Sequence, residues 1–382
     1  MPELSPATRS AARRDEVLTM RALNRALIER QFLRERVSLG AVEAIEHLAG
    51  MQSQQPLAPY VGLWTRLEGF AVDELAKATT DRQVVRAPMM RGTIHVVSAR
   101  DALAFRPVVQ RVLERATYSG SPFGRALIGL DEDAFLAMAR RELEAQPRTR
   151  TALGALLAKR WPARDASSLA YCATYLLPVV QVPPRGVWGG HAQATWTTVE
   201  GWLGRGMTKR PSVGALMMRY FAAFGPATID DAQAWSGLTH LREAVDRLRP
   251  RLRTFRGEDG SELFDLPDAP RPDPETPVPP RFLPEYDNLL LSHADRSRVI
   301  VEQRAPSPLP GKGAGGGSLL VDGVFAGFWR IVREAETATL LVVPFAPLGA
   351  DDRDGLEAEA EHLIAFVAPD AERRNVAFAA PQ

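Results

Sequence analysis

The chain has 382 residues, of which 45% are hydrophobic and 24% charged, and its formal net charge is +1. These proportions are ordinary for folded domains and exclude global disorder, and the length corresponds to about two or three domains. No apolar run approaches the roughly 18 residues of a membrane span, and residues 1–17 lack the apolar segment of a signal peptide. We therefore expect a cytoplasmic protein that does not bind membranes.

Metal and cofactor sites are not predicted. A single cysteine, Cys172, excludes an intramolecular disulfide and all-cysteine zinc or iron–sulfur sites. The six histidines include no HExxH pair and no pair at ligand spacing. Walker A loops, nucleophile elbows and Rossmann glycine fingerprints are also absent from the sequence, which excludes the enzyme classes built on them.

The first unusual segment lies between two predicted helices of the N-terminal third. A helix capped by Ser38 ends at Gly50, and Gln52, Gln54 and Gln55 follow ahead of a proline and the next helix. In an extended turn Gln52 and Gln54 point the same way. Two adjacent primary amides, each with a donor and an acceptor, can orient a water or read a base edge. A solvated polar turn is the alternative for the same residues.

Two further polar groups are candidates for DNA contacts. Arg91, Thr93 and His95 alternate onto one face of a predicted strand. The alternative for this group is a polar sheet face with a hydrogen-bonded histidine. For the second group, named next, the alternative is a solvated turn. The second group lies near the C-terminal third and consists of Asp287, His293, Arg296 and Arg298.

Residues 212–265 follow the order of a winged helix-turn-helix. Ser212 can cap a first helix. Thr228 and Asp231 can form the capping box of a short second helix, and Thr239 can cap a third. Two strands around a glycine turn complete the unit.

Positive charge is concentrated on the third helix and the hairpin of this unit. Segment 242–256 contains six arginines, one glutamate and one aspartate, which is a net charge of +4. Backbone phosphates lie against these elements when such a unit binds a duplex. Arginine supplies 43 of the 47 basic residues of the chain, a preference for which codon bias is the alternative explanation. The predicted contacts are Arg242, Arg249, Arg251 and Arg253.

The organisation along the chain predicts an α+β fold that is mainly α. Residues 151–199 form a weaker copy of the winged helix-turn-helix unit, and the spacing suggests a third copy in the N-terminal lobe. Proline-rich 267–280 and glycine-rich 306–318 are predicted linkers. After them the sequence alternates as strands do and ends in an amphipathic helix, which predicts a β-rich C-terminal subdomain. The predicted domains are 16–150, 151–266 and 281–382.

Several motifs occur together in one order. They are GMQSQQP, MRGTIHVVSARD, VPPRGVWG, FGPATIDDAQAWSGL, LPEYDNLLLSHADRSR and LLVDGVFAGFWRI. Through them, residues 18–370 resemble the winged-helix DNA glycosylases of the AlkZ/YcaQ-like family. The resemblance implies tandem winged helix-turn-helix units in a C-shaped scaffold with a β-rich C-terminal region. It also implies excision of bulky or crosslinked N7-alkylguanines from double-stranded DNA, as repair and as self-resistance to a genotoxin.

The catalytic signature of the family is a glutamine, any residue, and then a glutamine or, in another branch, an aspartate. Gln52 and Gln54 occupy the matching positions, and Ser53 departs mildly from the usual central residue. Alkylated guanine is a cationic leaving group, so the enzyme has to position water and stabilise an oxocarbenium-like sugar. We assign Gln54 to the nucleophilic water, and Gln52 to orientation and contact with the sugar cation.

The resemblance and the composition together predict a monofunctional enzyme without a cofactor. A β-lyase needs an amine for a Schiff base, and the chain has only four scattered lysines. Repeated units without a coiled-coil seam predict a nucleoid-associated monomer. The main alternative is a non-catalytic winged-helix regulator or damage-binding protein; a small-molecule-modifying enzyme is a third. Lesion selectivity is expected in the loops around the glutamines, in 188–193 and in the C-terminal hairpin.

Overall fold

The computed structural model describes residues 16–190, 192–301 and 316–381. Most of the second predicted linker, up to residue 315, and His191 therefore lie outside the described residues. The helices are α1 (Met20–Arg30), α2 (Ala41–His47), α3 (Ala58–Trp64), α4 (Val72–Thr80), α5 (Ala99–Phe105), α6 (Gln110–Tyr118), α7 (Glu132–Ala145), α8 (Arg150–Arg160), α9 (Ala166–Leu176), α10 (Val199–Leu203), α11 (Val213–Phe224), α12 (Ile229–Ser236), α13 (Arg242–Asp246) and α14 (Ala350–Val367).

The strands belong to three sheets. They are β1 (Val17–Leu18), β2 (Met51–Gln52), β3 (Val84–Pro88), β4 (Ile94–Ser98), β5 (Arg148–Thr149), β6 (Val179–Val182), β7 (Thr195–Thr198), β8 (Arg253–Gly257), β9 (Glu262–Asp265), β10 (Arg281–Pro284), β11 (Gly316–Val321), β12 (Val324–Glu334), β13 (Thr337–Pro344) and β14 (Arg373–Phe378). The strand orders are β1-β8-β9, β2-β4-β3-β6-β7-β5 and β10-β11-β12-β13-β14. The architecture is thus mixed helix and sheet, as predicted.

Local capping explains where several helices begin. Ser212 and Thr228 each accept a hydrogen bond from the backbone N–H three residues on, which confirms these predicted caps. Asp165 caps α9 in the same way. Asp231 closes the capping box by accepting from the N–H of Thr228 at 2.9 Å. The cap predicted at Thr239 is wrong, because α13 begins after Leu241 and its first turn has no side-chain cap.

The cap predicted at Ser38 is also wrong, because Gly40 directly precedes α2. Glu43 instead reaches back to the N–H of Gly40 at 3.2 Å. At the start of α13, Gln233 of α12 accepts from the N–H of Leu241 at 3.3 Å. In both cases the amide of the residue that precedes the helix donates to a glutamate or glutamine side chain, and no serine or threonine caps the first turn.

The six-stranded sheet has strands from both sides of residue 150. β2 lies at its edge, and β3 pairs with β6 where Arg86 lies opposite Gln181. The weaker copy predicted over 151–199 does end in a hairpin, since β6 and β7 pair antiparallel. The sheet positions residues 50–57, the glutamine segment, because β2 carries Gln52 and β4 runs beside it.

The order helix, helix, helix, hairpin is present over α11, α12, α13 and the antiparallel pair β8–β9. Aromatic side chains hold it together: Phe221 and Phe224 from α11, Trp235 from α12 and Phe264 from β9 are all buried in one core. β1 adds a parallel strand beside β8, which the sequence did not predict.

The C-terminal sheet packs against the helix that follows the glutamine segment. Val61 of α3 is buried in the same core as Phe282 of β10, Leu340 of β13 and Leu363 of α14. Between the two predicted linkers, only residues 281–284 of the described residues 281–301 form a strand. The first predicted linker, 267–280, has no helix or strand, as expected. It is nevertheless fastened to α1, where Arg25 donates to the Thr276 carbonyl at 2.7 Å.

Candidate active site

The glutamine segment is held at the edge of the six-stranded sheet. Gln52 lies opposite His95 in the antiparallel β2–β4 pair, and the N–H of Ser53 donates to the Ile94 carbonyl at 2.7 Å. Gly50, just before β2, has a φ of +91°, and a Cβ there would lie 2.8 Å from Cγ1 of Val97. Glycine is therefore required for the chain to turn from α2 into this edge strand.

Gln52 is 8% exposed, and its amide orientation follows from a charged partner. Arg91 donates from Nη2 to Oε1 of Gln52 at 2.7 Å and to Oδ1 of Asn288 at 3.0 Å. A second Arg91 nitrogen, Nη1, donates to the Trp235 carbonyl at 2.7 Å. Since a guanidinium only donates, the Gln52 oxygen rather than its nitrogen faces Arg91. Burial lowers the pKa of Arg91 to about 10, which leaves it cationic at neutral pH.

Gln54 is exposed, and its amide is oriented by the backbone. Its Oε1 accepts from the N–H of Ile94 at 3.2 Å. Both glutamine oxygens therefore face the segment 91–94. Within the described residues, neither amide nitrogen has a hydrogen-bond partner. Each of these amides keeps donors, and Gln54 keeps a second oxygen lone pair, for groups outside the chain.

Arg86 is a site residue that the sequence did not single out. It is 3% exposed, and its Nη1 and Nη2 donate to Oγ and the carbonyl of Ser53 at 2.6 and 3.0 Å. No carboxylate pairs with it among the described residues. Burial, with a smaller contribution from Arg185, lowers the pKa of Arg86 to about 9. A lone cation inside the apolar strand β3 is the one feature that could have drawn attention to it.

Asp287 and Asn288 lie next to the glutamine segment and form hydrogen bonds there. Asp287 is 6% exposed and accepts from Nη2 of Arg66 at 2.9 Å. Asn288, which the sequence did not identify, donates from Nδ2 to the Gly50 carbonyl at 3.1 Å. These residues and Gln52 line a cavity of about 10 Å³, which is near the minimum for one water. The burial of Asp287 opposes the direct DNA contact predicted for it.

The strand predicted to present Arg91, Thr93 and His95 together is shorter than expected. Arg91 lies in the 3₁₀ turn Met90–Gly92 with φ of +56°, and β4 starts only at Ile94. Their alternation on one strand face is therefore wrong. Thr93 donates from Oγ1 to the Met90 carbonyl at 3.1 Å, and His95 is fully buried. Burial, and next the charge of Arg91, lower the pKa of His95 to about 3.

The second predicted DNA group is mostly internal. His293 is 4% exposed, lies within hydrogen-bond distance of the Phe224 carbonyl and has its pKa lowered to about 3, first by burial and then by Arg298. Arg298 is 5% exposed and donates to the Pro226 carbonyl at 3.0 Å. Only Arg296 is exposed. The burial of His293 and Arg298 opposes direct contact with a duplex.

The four predicted phosphate contacts are all exposed, but their partners differ. Arg249 donates to both carboxylate oxygens of Glu262 at 2.8 and 2.9 Å, and also to Asp246. Arg253 pairs with Glu16 at 2.7 Å. The side chains of Arg242 and Arg251 have no hydrogen-bond or ion-pair partner within the described part of the chain. These two cations are therefore free to meet an external anion.

The described residues contain neither a metal-binding cluster nor a membrane-spanning helix. No group of three or more histidine, cysteine, aspartate or glutamate side chains there could hold a metal ion. Among the same residues, no helix combines the length and the apolarity that crossing a membrane requires.

The fold has a known counterpart. It is similar to the solved structure of Streptomyces sahachiroi DNA glycosylase AlkZ, with a TM-score of 0.73 and 20% sequence identity. That match covers 95% of this chain and 100% of the other, and at such identity it shows a common fold. No curated protein matches the sequence. The family model described as DNA glycosylase AlkZ-like matches residues 45–366, which is most of the chain and includes both glutamines. The chain belongs to the AlkZ-like DNA glycosylase family.

Proposed function

We propose that this protein is a monofunctional DNA glycosylase that hydrolyses the N-glycosidic bond of bulky or crosslinked N7-alkylguanine in double-stranded DNA. Membership of the family supports DNA as the substrate. One observation supports the glutamines as the catalytic pair: both amide oxygens are oriented by the segment 91–94, while both amide nitrogens are unengaged within the described chain. A solvated polar turn would not explain why the partly buried Arg91 binds Gln52.

The chemistry needs no strong acid. Alkylation at N7 makes guanine cationic, so the base leaves as a neutral molecule when the electron pair of the C1′–N9 bond moves onto it. The sugar then carries the positive charge in an oxocarbenium-like state. A water oxygen bonds to C1′ and loses a proton to solvent, which leaves an abasic site. The protein has to hold that water and stabilise the sugar cation.

The geometry favours different roles for the two glutamines. Gln54 is exposed, and its oxygen, which accepts one bond from Ile94, can accept a second from water. Gln52 points its oxygen at the cation of Arg91, and that positive charge would weaken a contact with a sugar cation. We therefore assign the water to Gln54 and the orientation of the segment to Gln52. An amide does not act as a base near pH 7, so neither role involves taking up a proton.

The positions of the lysines support hydrolysis without strand cleavage. A bifunctional enzyme forms a Schiff base through an amine. Lys77, Lys159 and Lys209 make no described contact with the glutamine segment, and Lys312 lies outside the described residues. Borohydride added during turnover is therefore expected to trap no covalent complex.

We also propose how the enzyme holds DNA and which biological role it has. The unit from α11 to β9 is a winged helix-turn-helix, and tandem units form a C-shaped scaffold that holds a duplex as a monomer. Arg242 and Arg251, both exposed and without a described partner, are its phosphate contacts in this unit. The enzyme acts on chromosomal DNA, in repair and in self-resistance to a genotoxin that alkylates guanine.

The test is release of the damaged base. The protein is incubated with duplexes that carry N7-methylguanine or a bulkier N7 adduct, and free bases are identified by mass spectrometry. Gln54→Ala should lower the single-turnover rate constant by at least about 100-fold with little change in duplex affinity. The exposed Gln146, which follows α7, gives the matched control Gln146→Ala, and this variant should excise N7-methylguanine at the wild-type rate. Salt-sensitive duplex binding without release of either base would favour the non-catalytic DNA-binding alternative.

A further inference from the structure

A cleft lies directly beside the glutamine segment, between α3 and the C-terminal sheet. Its volume is about 250 Å³. Gln55 and Leu57 from the end of the segment line it together with Trp329 and Ile331 of β12. Pro284 lines both this cleft and the small cavity beside Gln52, so the two spaces share a wall.

The walls of the cleft are largely apolar and aromatic. Trp188 forms one wall, and its ring is fixed against Tyr60 at 5.1 Å and Phe366 at 5.5 Å between centroids. The backbone of Trp188 is held as well, because its N–H donates to the Tyr60 hydroxyl at 3.1 Å. A rigid indole facing aliphatic side chains suits a flat apolar ring system rather than a sugar or phosphate.

The two charged side chains that line the cleft, Arg333 and Glu285, differ in whether they have an ionic partner among the described residues. Arg333 is already compensated, because its two terminal nitrogens donate to the carboxylate of Asp370 at 2.9 and 3.0 Å. Glu285 accepts no hydrogen bond and forms no ion pair within the described residues. Burial raises the pKa of Glu285, as expected for a carboxylate without a cationic neighbour. The cleft therefore offers one unsatisfied acceptor in an apolar environment.

We propose that this cleft binds the substituent of the alkylated guanine, and that it selects substituents with a planar aromatic body and a protonated amine that meets Glu285. This inference rests on the proposed function for its substrate, and it adds the chemical class of the adduct. A ligand anion is excluded by Glu285, and a neutral aromatic group would leave that carboxylate desolvated and unpaired. A cationic amine satisfies it with a charge-assisted hydrogen bond.

The first test is binding without catalysis. The full-length protein is titrated with 1-(dimethylaminomethyl)naphthalene, which is protonated at neutral pH, and with its neutral counterpart 1-(methoxymethyl)naphthalene. The amine probe should bind about tenfold more tightly than the neutral probe. Glu285→Gln should abolish that difference, and Glu357→Gln, an exposed glutamate of α14 outside the cleft, should preserve it. Trp188→Phe should weaken both probes by a similar factor, since both use the indole face.

The second test separates the inference from the proposed function. Duplexes carry N7-methylguanine or N7-naphthylmethylguanine with and without the amine. Glu285→Gln should lower the excision of the amine-bearing lesion by about tenfold and leave N7-methylguanine unchanged. Wild-type protein that binds the amine probe but releases no base would support the cleft and overturn the glycosylase. Absence of saturable probe binding, or equal binding by Glu285→Gln and wild type, would overturn the cleft.

Discussion

Arg91 and Gln52 are joined by a hydrogen bond of 2.7 Å between Nη2 of the arginine and Oε1 of the glutamine. The same nitrogen also holds Asn288, which is 197 residues from Arg91 along the chain. One cation thus connects the edge strand β2 with the turn after β10. Because the guanidinium fixes which end of the Gln52 amide faces inward, we regard Arg91 as the positioning residue of the segment.

Replacing Arg91 should therefore affect excision more than DNA binding. Arg91→Met removes three hydrogen bonds and leaves the Gln52 amide free to rotate. We expect the single-turnover rate constant to fall by about 10- to 100-fold, the range for hydrogen bonds to charged groups, with little change in duplex affinity. Arg91→Lys should recover only part of the rate, since one ammonium cannot reproduce the planar fork.

Two measurements check this prediction. Single-turnover excision gives the chemical step, and urea unfolding shows whether Arg91→Met has lost the fold as well. A folded Arg91→Met protein that excises at the wild-type rate would contradict the positioning role.

The activity should be insensitive to pH in the neutral range. Burial is the main cause that lowers the pKa of His95 to about 3, and it also dominates the lowered pKa of His293. Neither histidine changes its charge between about pH 6 and 8, and amides do not titrate there. The single-turnover rate constant on N7-methylguanine, measured across this range, should therefore be constant. A bell-shaped profile would require a titrating group at the site.

Stability, by contrast, should fall in acid. The pKa of His95 is about 3 in the folded chain, below the ordinary value of 6.5. Below pH 6.5 the unfolded chain binds a proton that the folded chain does not, so stability is lost as the pH falls. For this one group the free energy of unfolding should drop by about 2 kcal/mol between about pH 7.5 and 5. Urea unfolding at both pH values should show a smaller drop in His95→Gln than in wild type.

The DNA affinity should depend on which arginines are free. Arg242 and Arg251 have no partner among the described residues, whereas Arg247 and Arg249 are held by Glu243 at 2.8 Å and by Glu262 at 2.8 and 2.9 Å. Arg242→Ala with Arg251→Ala should lower the magnitude of the slope of log affinity against log salt by about two.

The matched control is the double variant Arg247→Ala with Arg249→Ala, which removes the same formal charge from the same segment. Its slope should change less, because these guanidinium groups already meet carboxylates. Equal slopes for the two double variants would show that the internal ion pairs do not protect their arginines from DNA.

A buried ion pair should control stability away from the site. Arg30 donates to both oxygens of Asp265 at 2.6 and 2.8 Å, and both side chains are at most 1% exposed. Asp265→Asn leaves the Arg30 cation buried without its anion. We expect the free energy of unfolding to fall by about 3–5 kcal/mol. An exposed pair such as Arg247 and Glu243 should change it by about 1 kcal/mol or less when Glu243→Gln is made.

Several local elements of this protein were determined by the sequence itself. Ser212, Thr228 and Asp231 cap their helices as predicted, and the strands β8 and β9 pair around the expected turn, because a cap or a tight turn involves residues only a few positions apart. The glutamine segment was likewise singled out by a short pattern of residue types, with a solvated turn as the alternative, and its catalytic role stays a prediction.

The surroundings of that segment were decided only by the tertiary structure. Arg86 and Asn288 contact residues 33 to 238 positions away, and no local periodicity reports such pairs. The tertiary structure also decided which predicted DNA contacts are accessible: Arg242 and Arg251 are exposed to solvent, whereas His95 and His293 are buried. The physical reason is that desolvation and long-range hydrogen bonds depend on which elements pack together, and residue type alone does not specify that packing.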